Sequence, residues 1–345
     1  MTTLIDSVSG PISSDSLGLT LTHEHLANSI AEGGGTEPDP DYPELYDQPV
    51  SASNAWLIRE RPYSNLDNNV LDDDEGMVEE LRAFRNVGGT TIIETTPMGQ
   101  GRSAARVKRM AERSGAQVIM GGGWYLEQFQ PDAAADWSID RMADEMMLQY
   151  RPESADAGVV AGIIGEIGIS PDRTERELRA LRAACAVQLE VRKPLMVHLP
   201  FRQFGHEVLD IVLDEFGVEP RAVVLAHMDW GDTDPHYQRS LAERGVVLEF
   251  DMIGMPFLYP MEGQSPLPGQ TAEAIARLVD AGHGDRILLS HDLFLKTMMR
   301  KHGGNGLVYV PTLFAGRLRA AGIDPEIVQA MMTANPRALF EHAAG

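Results

Sequence analysis

Short apolar runs rich in valine, isoleucine and leucine recur along the chain, at residues 17–23, 89–97, 116–124, 158–168, 194–199, 222–227, 245–252 and 286–292. Runs such as "AQVIMGGGW" and "GVVAGIIGEIG" are continuously apolar instead of alternating, the pattern of strands buried on both faces of a parallel sheet covered by helices. Helical patterns fill the intervals. "DDEGMVEELRAFRNVGG" begins acidic and ends in glycine, and "SPDRTERELRALRAACAVQLEVR" opens with Ser170 and Pro171 as cap and first turn. "FGHEVLDIVLDEFG", "DPHYQRSLAERG" and "TAEAIARLVDAGHGD" keep the same rhythm. Eight strand–helix units in 345 residues predict an α/β fold, a closed (β/α)₈ TIM barrel, with a doubly wound open sheet as the competing architecture. No glycine-rich phosphate fingerprint favours the open sheet: "MGQGRSAARV" fits no dinucleotide or P-loop spacing and reads as turn chemistry, as does "GGG" at 33–35 and 121–123.

Neither solenoid repeats nor a dividing linker interrupts the pattern, so residues 1–345 are expected to form one domain. The segment from about 26 to 71, with "TEPDPDYPELYDQPVS", is too long for an ordinary βα loop and is expected at the barrel mouth as an insertion after the first strand.

Barrel active sites sit at the C-terminal strand ends, so the residues there carry the chemical question. In "GLTLTHEHL" an extended backbone points His23 and His25 one way and Glu24 the other. Alone, such a pair is most simply a surface turn. The fourth run adds Glu166, the fifth ends in His198, the sixth in His227 and the eighth in His291 and Asp292. Each histidine by itself is more often a hydrogen-bonded structural residue, but the joint placement is a poor match to chance. Four imidazoles, before counting His291, and two carboxylates exceed one tetrahedral zinc and suit two metals about 3.5–4 Å apart sharing a ligand. Such a centre lowers the pKa of bound water towards about 7 and polarises the carbonyl or phosphoryl oxygen under attack. His206, His236, His283, His302 and His342 fall in helices, loops or the tail, where solvation is the simpler account.

Composition narrows the partners. A formal charge of −22 argues against gripping nucleic acid or an anionic membrane. The single cysteine, Cys185, excludes an internal disulfide and a cysteine zinc site, and its helical setting points to packing. The N-terminus lacks a secretory signal and no run reaches membrane-spanning length, so a cytoplasmic enzyme with a small-molecule substrate is expected.

Taken together, "THEHL", "LIRERPYSNLDNNVLDDDEGMVEELRAFRNVGGTTIIETTP", "GEIGIS", "VHLP", "AHMDW", "ILLSHDLFLK" and "NPRALF" resemble the phosphotriesterase-related branch of the amidohydrolase superfamily, binuclear metal hydrolases on a (β/α)₈ barrel, through nearly the whole chain. The resemblance implies that His23, His25 and Asp292 hold the more buried metal, that His198 and His227 hold the other, and that Glu166 bridges them. It selects Asp292 over His291. The two ions are expected to be zinc, with manganese, cobalt or iron as alternatives. A homodimer is implied by the resemblance alone. The chain departs from phosphotriesterases that bridge their metals with a carboxylated lysine, since Lys108, Lys193, Lys296 and Lys301 all lie outside "GVVAGIIGEIG", and it matches the branch that uses glutamate. It departs again at Met252, where hydrolases and lactonases of the family tend to carry His or Arg, so the polar surroundings differ. Asp251 is either an acceptor for a ligand imidazole or a structural strand-end residue.

The expected activity is a metal-dependent hydrolase in which hydroxide held between the metals attacks a lactone or carboxylic ester carbonyl while Asp292 takes and relays its proton. Phosphotriesters and N-acyl amino acids are the alternative substrates, and a non-catalytic metal-binding protein is the alternative of another class. Few basic residues beyond Arg102, Arg202, Lys296, Arg300 and Lys301 stand in the candidate loops, which disfavours phosphate monoesters. Trp124, Tyr125, Met252, Met255, Phe257, Tyr259 and the segment 294–299 are candidates for the pocket wall, although apolar residues are individually more often core.

Overall fold

The computed structural model describes residues 2–33, 36–200, 203–229, 235–255, 257–259 and 263–345. An antiparallel hairpin, β1 (Leu4–Ser7) and β2 (Gly10–Ser13), precedes the first barrel strand β3 (Leu19–Glu24). Then follow α1 (Ala55–Glu60), α2 (Asp74–Asn86), β4 (Gly89–Glu94), α3 (Ala104–Ser114), β5 (Gln117–Gly122), α4 (Ile139–Met147), β6 (Ile163–Gly168), α5 (Glu175–Val191), β7 (Leu195–His198) and α6 (Gly205–Leu209). The chain continues through β8 (Val223–Leu225), α7 (Pro235–Glu243), β9 (Val247–Phe250), a short hairpin of β10 (Leu258–Tyr259) and β11 (Gly263–Gln264), α8 (Pro268–Asp280) and β12 (Ile287–Leu289). It ends with α9 (Ala315–Ala320), α10 (Pro325–Ala330) and α11 (Ala334–Ala343).

Eight strands hydrogen-bond in the order β12-β9-β8-β7-β6-β5-β4-β3, parallel throughout. The two ends of this order meet: Ser290 Oγ donates to Glu24 Oε1 at 2.7 Å, and Asp292 N donates to the His23 carbonyl at 3.1 Å. The sheet is therefore a (β/α)₈ barrel, and all eight apolar runs supply its strands in sequence order.

Two cores explain why the runs are continuously apolar. Ile93, Ile119, Ile163, Met196, Val224, Val247 and Leu288, one from each of seven strands, pack with Ile5 of the hairpin in a single buried cluster. Their strand neighbours Ile92, Val118, Ile164, Leu195, Val223, Leu248 and Leu289 belong to the larger cluster shared with the helices. Each strand thus buries both faces, and each such side chain contributes about 1.5–3 kcal/mol by leaving water. Cys185 is fully buried within the larger cluster, as its helical setting implies, and burial pushes its thiol pKa up to about 12.

Helix starts follow local chemistry with one correction. Asp73 caps α2 by accepting from Gly76 N at 3.0 Å. The cap of α5 is Thr174, not Ser170, because Thr174 and Glu177 form a reciprocal capping box that Ser170–Pro171 does not provide. Ser170 instead donates to Glu177 Oε2 through both its amide and its hydroxyl. Between β3 and α2, the described residues of the 26–71 segment form short turns and α1, and Ser29 pairs with Val70 so that both ends of the segment lie together. No helix among the described residues is long and apolar enough to cross a membrane.

Candidate metal centre and cavity

Six side chains from five strands converge at the C-terminal end of the barrel. His23 ends β3 and His25 follows it, Glu166 lies in β6, and His198 ends β7. His227 stands two residues past β8, and Asp292 three past β12. The β6 pairing with β7 shifts register between Ile164 and Ile167, re-aiming the strand at the point where Glu166 sits. Gly165 just before it has φ +127°, and a Cβ there would lie 2.5 Å from the Met196 carbonyl oxygen, so only glycine fits. His227 and Asp292 themselves adopt left-handed backbone, φ +59° and +51°, a conformation that bulky residues keep where the surroundings enforce it and that clusters at functional sites.

Glu166 stands between the histidines. Its Oε1 is 3.5 Å from His25 Nε2, and its Oε2 is 3.6 Å from His23 Nε2, 3.1 Å from His198 Nδ1 and 3.7 Å from His227 Nε2. Asp292 Oδ1 lies 3.1 Å from His25 Nε2 and 3.8 Å from His23 Nε2. Three overlapping groups, His23–His25–Glu166, Glu166–His198–His227 and His23–His227–Asp292, each place their nitrogen and carboxylate atoms within 4.8 Å of one another. Such groups can hold metal ions, and nitrogen with carboxylate oxygen suits zinc and its divalent neighbours. The His23 Nε2 atom is buried and has no hydrogen-bond partner while it faces two carboxylates, which fits a donor reserved for a cation.

Charge makes the same point. Burial opposes protonation of His23, yet the Glu166 and Asp251 carboxylates outweigh it and hold the imidazole pKa well above its usual value. Burial likewise opposes protonation of His227, and Asp251 raises it. Glu166 is buried too, and His23, with His198 and His227, holds its carboxyl well below the usual range. Positive charge is stabilised at this point of the barrel.

Outer contacts fix the rings. His227 Nδ1 donates to Asp251 Oδ1 at 2.8 Å, and His23 Nδ1 lies 3.0 Å from Asp251 Oδ2, so one carboxylate turns the Nε2 atoms of both rings to the centre. Asp229 Oδ2 accepts from the Asp251 and Met252 amides at 2.8 and 3.0 Å. His25 Nδ1 meets Thr96 Oγ1 at 2.9 Å, and Thr96 donates to Glu94. Glu249, also buried, has an oxygen 3.8 Å from His23 Nδ1. Of these residues only Asp251 stands out in the sequence; Glu94, Thr96, Asp229 and Glu249 carry no spacing signal.

His291 turns away from the centre. Its Nδ1 donates to Glu24 Oε1 at 2.8 Å and its Nε2 accepts from Val310 N at 2.9 Å, which satisfies both nitrogens. Glu24 accepts in addition from the His291 and Leu293 amides at 2.9 and 3.0 Å. The two residues that alternation sends to the opposite face, Glu24 and His291, thus pair across the closing seam.

A cavity of about 460 Å³ opens over the centre, with His25, Glu166, His198, His227 and Asp292 on its floor. Tyr125, Met252 and Tyr259 line its wall, as does Phe294. Trp124 and Phe257 do not. Trp124, adjacent to Tyr125 and turned the other way, packs edge-on against Trp137, ring centroids 5.9 Å apart, in the layer beneath the helices. Phe257 exchanges hydrogen bonds with Ser265 as its loop folds back, and it borders a separate cavity of about 370 Å³ beside Trp56 and Arg59. Met255 is buried and lines neither cavity. Asn28, Tyr63, Gln100 and Gln128 line the site cavity without having been expected there. Trp230 of "AHMDW", Arg202 and parts of the 253–269 loop lie outside the described residues.

Known proteins resemble this chain in sequence and in fold. The profile of the phosphotriesterase family matches residues 3–340. The N-acetyltaurine hydrolase of Salmo salar is 30% identical over 338 residues, 96% of each chain. The crystal structure of a resiniferatoxin-binding protein from Rhodobacter sphaeroides superposes with a TM-score of 0.94 at 41% identity, covering 98% of this chain and 94% of that one. The phosphotriesterase homology protein of Escherichia coli, crystallised with phosphate in its active site, gives a TM-score of 0.78 at 25% identity over 94% of this chain and 99% of that one.

Proposed function

This chain belongs to the phosphotriesterase family, and from that premise we propose that, as a metal-dependent hydrolase, it cleaves a carboxylic acyl bond, an N-acylated amine first and a lactone or carboxylic ester second. The observation that carries the reading is Glu166 set between two pairs of histidines, with Asp292 beside it on the floor of a cavity. The amide is placed ahead of the ester because the N-acetyltaurine hydrolase aligns over 96% of both chains.

His23, His25 and Asp292 would hold one divalent cation and His198 and His227 a second, with Glu166 common to both; zinc is the first choice and manganese, cobalt and iron the others. Bound there, the cations would acidify a water towards a pKa of about 7 and polarise the acyl oxygen. The protein supplies the rest. The Asp292 carboxylate, on the cavity floor, takes the proton of the attacking water and delivers it to the departing nitrogen or oxygen. Asp251 keeps the Nδ1 proton on His227 through a hydrogen bond and lies 3.0 Å from His23 Nδ1, favouring the tautomers that leave each Nε2 free to hold a cation. Ile30, Phe129 and Phe294 give the cavity apolar walls.

The test is chelation followed by add-back of zinc, manganese, cobalt or iron, read against an N-acyl amine, a lactone, an aryl ester and a phosphotriester. Metal-dependent turnover of an acyl compound is expected; turnover of the phosphotriester alone, or of nothing, refutes the reading. Asp292→Asn should lower kcat by about 10²–10⁴-fold, the usual worth of a positioned acid–base group. Unchanged kcat at full metal loading would remove Asp292 from that role.

A further inference from the structure

Asn28 follows His25 by three residues and lines the cavity, with 2% of its surface exposed. Neither its Oδ1 nor its Nδ2 has a hydrogen-bond partner among the described residues. The residue is held firmly by its backbone: its carbonyl accepts from Leu71 N at 2.9 Å, and Ser29 N donates to the Gln100 carbonyl at 2.7 Å. A buried carboxamide left without partners is costly, and native chains keep one where something outside the fold completes its bonds.

The charge around it is equally informative. Among the described residues no lysine or arginine lines the cavity. Among the described residues, the cations of the surrounding loops are engaged elsewhere: Arg102 with the Gly121 carbonyl at 3.0 Å, Lys296 with Asp67 and Asp72, Arg300 with Glu80, and Arg173 with Glu207 and the face of Phe204. Asp172 stands on the cavity rim. Among the described residues, an anionic substrate tail would meet a carboxylate there and no lining guanidinium or ammonium to pair with.

We propose that Asn28 is a specificity residue that binds an uncharged polar group of the substrate, donating through Nδ2 and accepting through Oδ1, so that the enzyme takes neutral N-acyl amines or neutral esters in preference to anionic ones. The carboxamide of Gln100, on the same wall, extends the neutral polar surface. The proposal rests on the hydrolase reading above. It separates this chain from relatives named for N-acetyltaurine, whose substrate carries a sulfonate.

The experiment compares N-acetylethanolamine, N-acetylglycine and N-acetyltaurine on the metal-loaded full chain, by turnover and by isothermal titration. The neutral compound should be favoured about tenfold or more, as expected where a site's polar groups match one ligand and not another. Asn28→Leu and the near-isosteric Asn28→Asp should each weaken it about 10–100-fold in KM or Kd. Asn28→Leu removes an unpaired buried amide, so its Tm should hold or rise, which separates lost binding from lost fold. Equal or tighter binding of either anion, binding of none of the three, or Asn28 variants with unchanged KM and Kd would overturn the inference. Should no acyl compound turn over, the hydrolase reading falls, while the titrations still decide whether Asn28 selects the neutral ligand.

Discussion

Replacing Asp251 by asparagine tests whether the centre is organised as described. Asp251 accepts from His227 Nδ1 at 2.8 Å and from the His227 amide at 3.2 Å, and its other oxygen lies 3.0 Å from His23 Nδ1. Burial opposes its charge, yet His227 and His23 hold its pKa below the usual range, so it is ionised at neutral pH. Asn keeps the shape but presents one acceptor and one N–H₂, so one of the two imidazole N–H groups must face a donor. Losing a hydrogen bond to a charged acceptor costs about 1.5–3 kcal/mol, and about 1.4 kcal/mol is a factor of ten. The expected loss in metal affinity is therefore roughly 10–100-fold, the range usual for partners of ligating histidines. Competition against a chromophoric chelator at fixed pH measures it, and saturating metal should restore most of the activity. A dissociation constant within about threefold of the wild type, against that expected range, would mean that Asp251 is a structural strand-end residue and that the imidazoles are oriented by something else.

Two further outcomes follow from the same geometry. His291→Leu strips Glu24 and Val310 N of a partner on the far side of the seam; it should destabilise the chain by about 1–3 kcal/mol in denaturant titrations yet leave metal stoichiometry unchanged, and a lost metal equivalent would contradict the placement of His291 outside the centre. Asp229 is raised to about 7, by burial first and by the Asp251 charge second, from an ordinary 3.8. A carboxyl raised on folding contributes stability that is fully present below its unfolded pKa and lost as pH climbs through the folded one. Asp229→Asn should accordingly gain stability relative to wild type between about pH 4 and 8 in the metal-free protein, and a pH-independent difference would refute it.

How much of this was written in the chain can be judged residue by residue. The eight strands were legible because each buries both faces, and that burial leaves a continuous apolar run in the sequence. The histidines and carboxylates at the strand ends were legible because the barrel gathers those ends in one place, so their chemistry is read without knowing any distance. The cap of α5 was misplaced by four residues because Ser170–Pro171 and Thr174 with Glu177 are both acceptable starts, and only the reciprocal hydrogen bonds distinguish them. Trp124 and Tyr125 were equally plausible wall residues until the turn after β5 sent one to the helices and the other to the cavity.

The sequence by itself determined the barrel and the kinds of atoms that meet at its mouth, since both follow from local hydrophobicity and from residue type at strand ends. Only the tertiary structure decided that one carboxylate, Asp251, serves two imidazoles, that His291 answers Glu24 across 267 residues of chain, and that Asn28 lines the cavity with its buried carboxamide unpaired among the described residues. The reason is physical: burying apolar surface is non-directional and repeats along the backbone, whereas a hydrogen bond between side chains distant in sequence depends on angles and distances that arise after the strands close on one another.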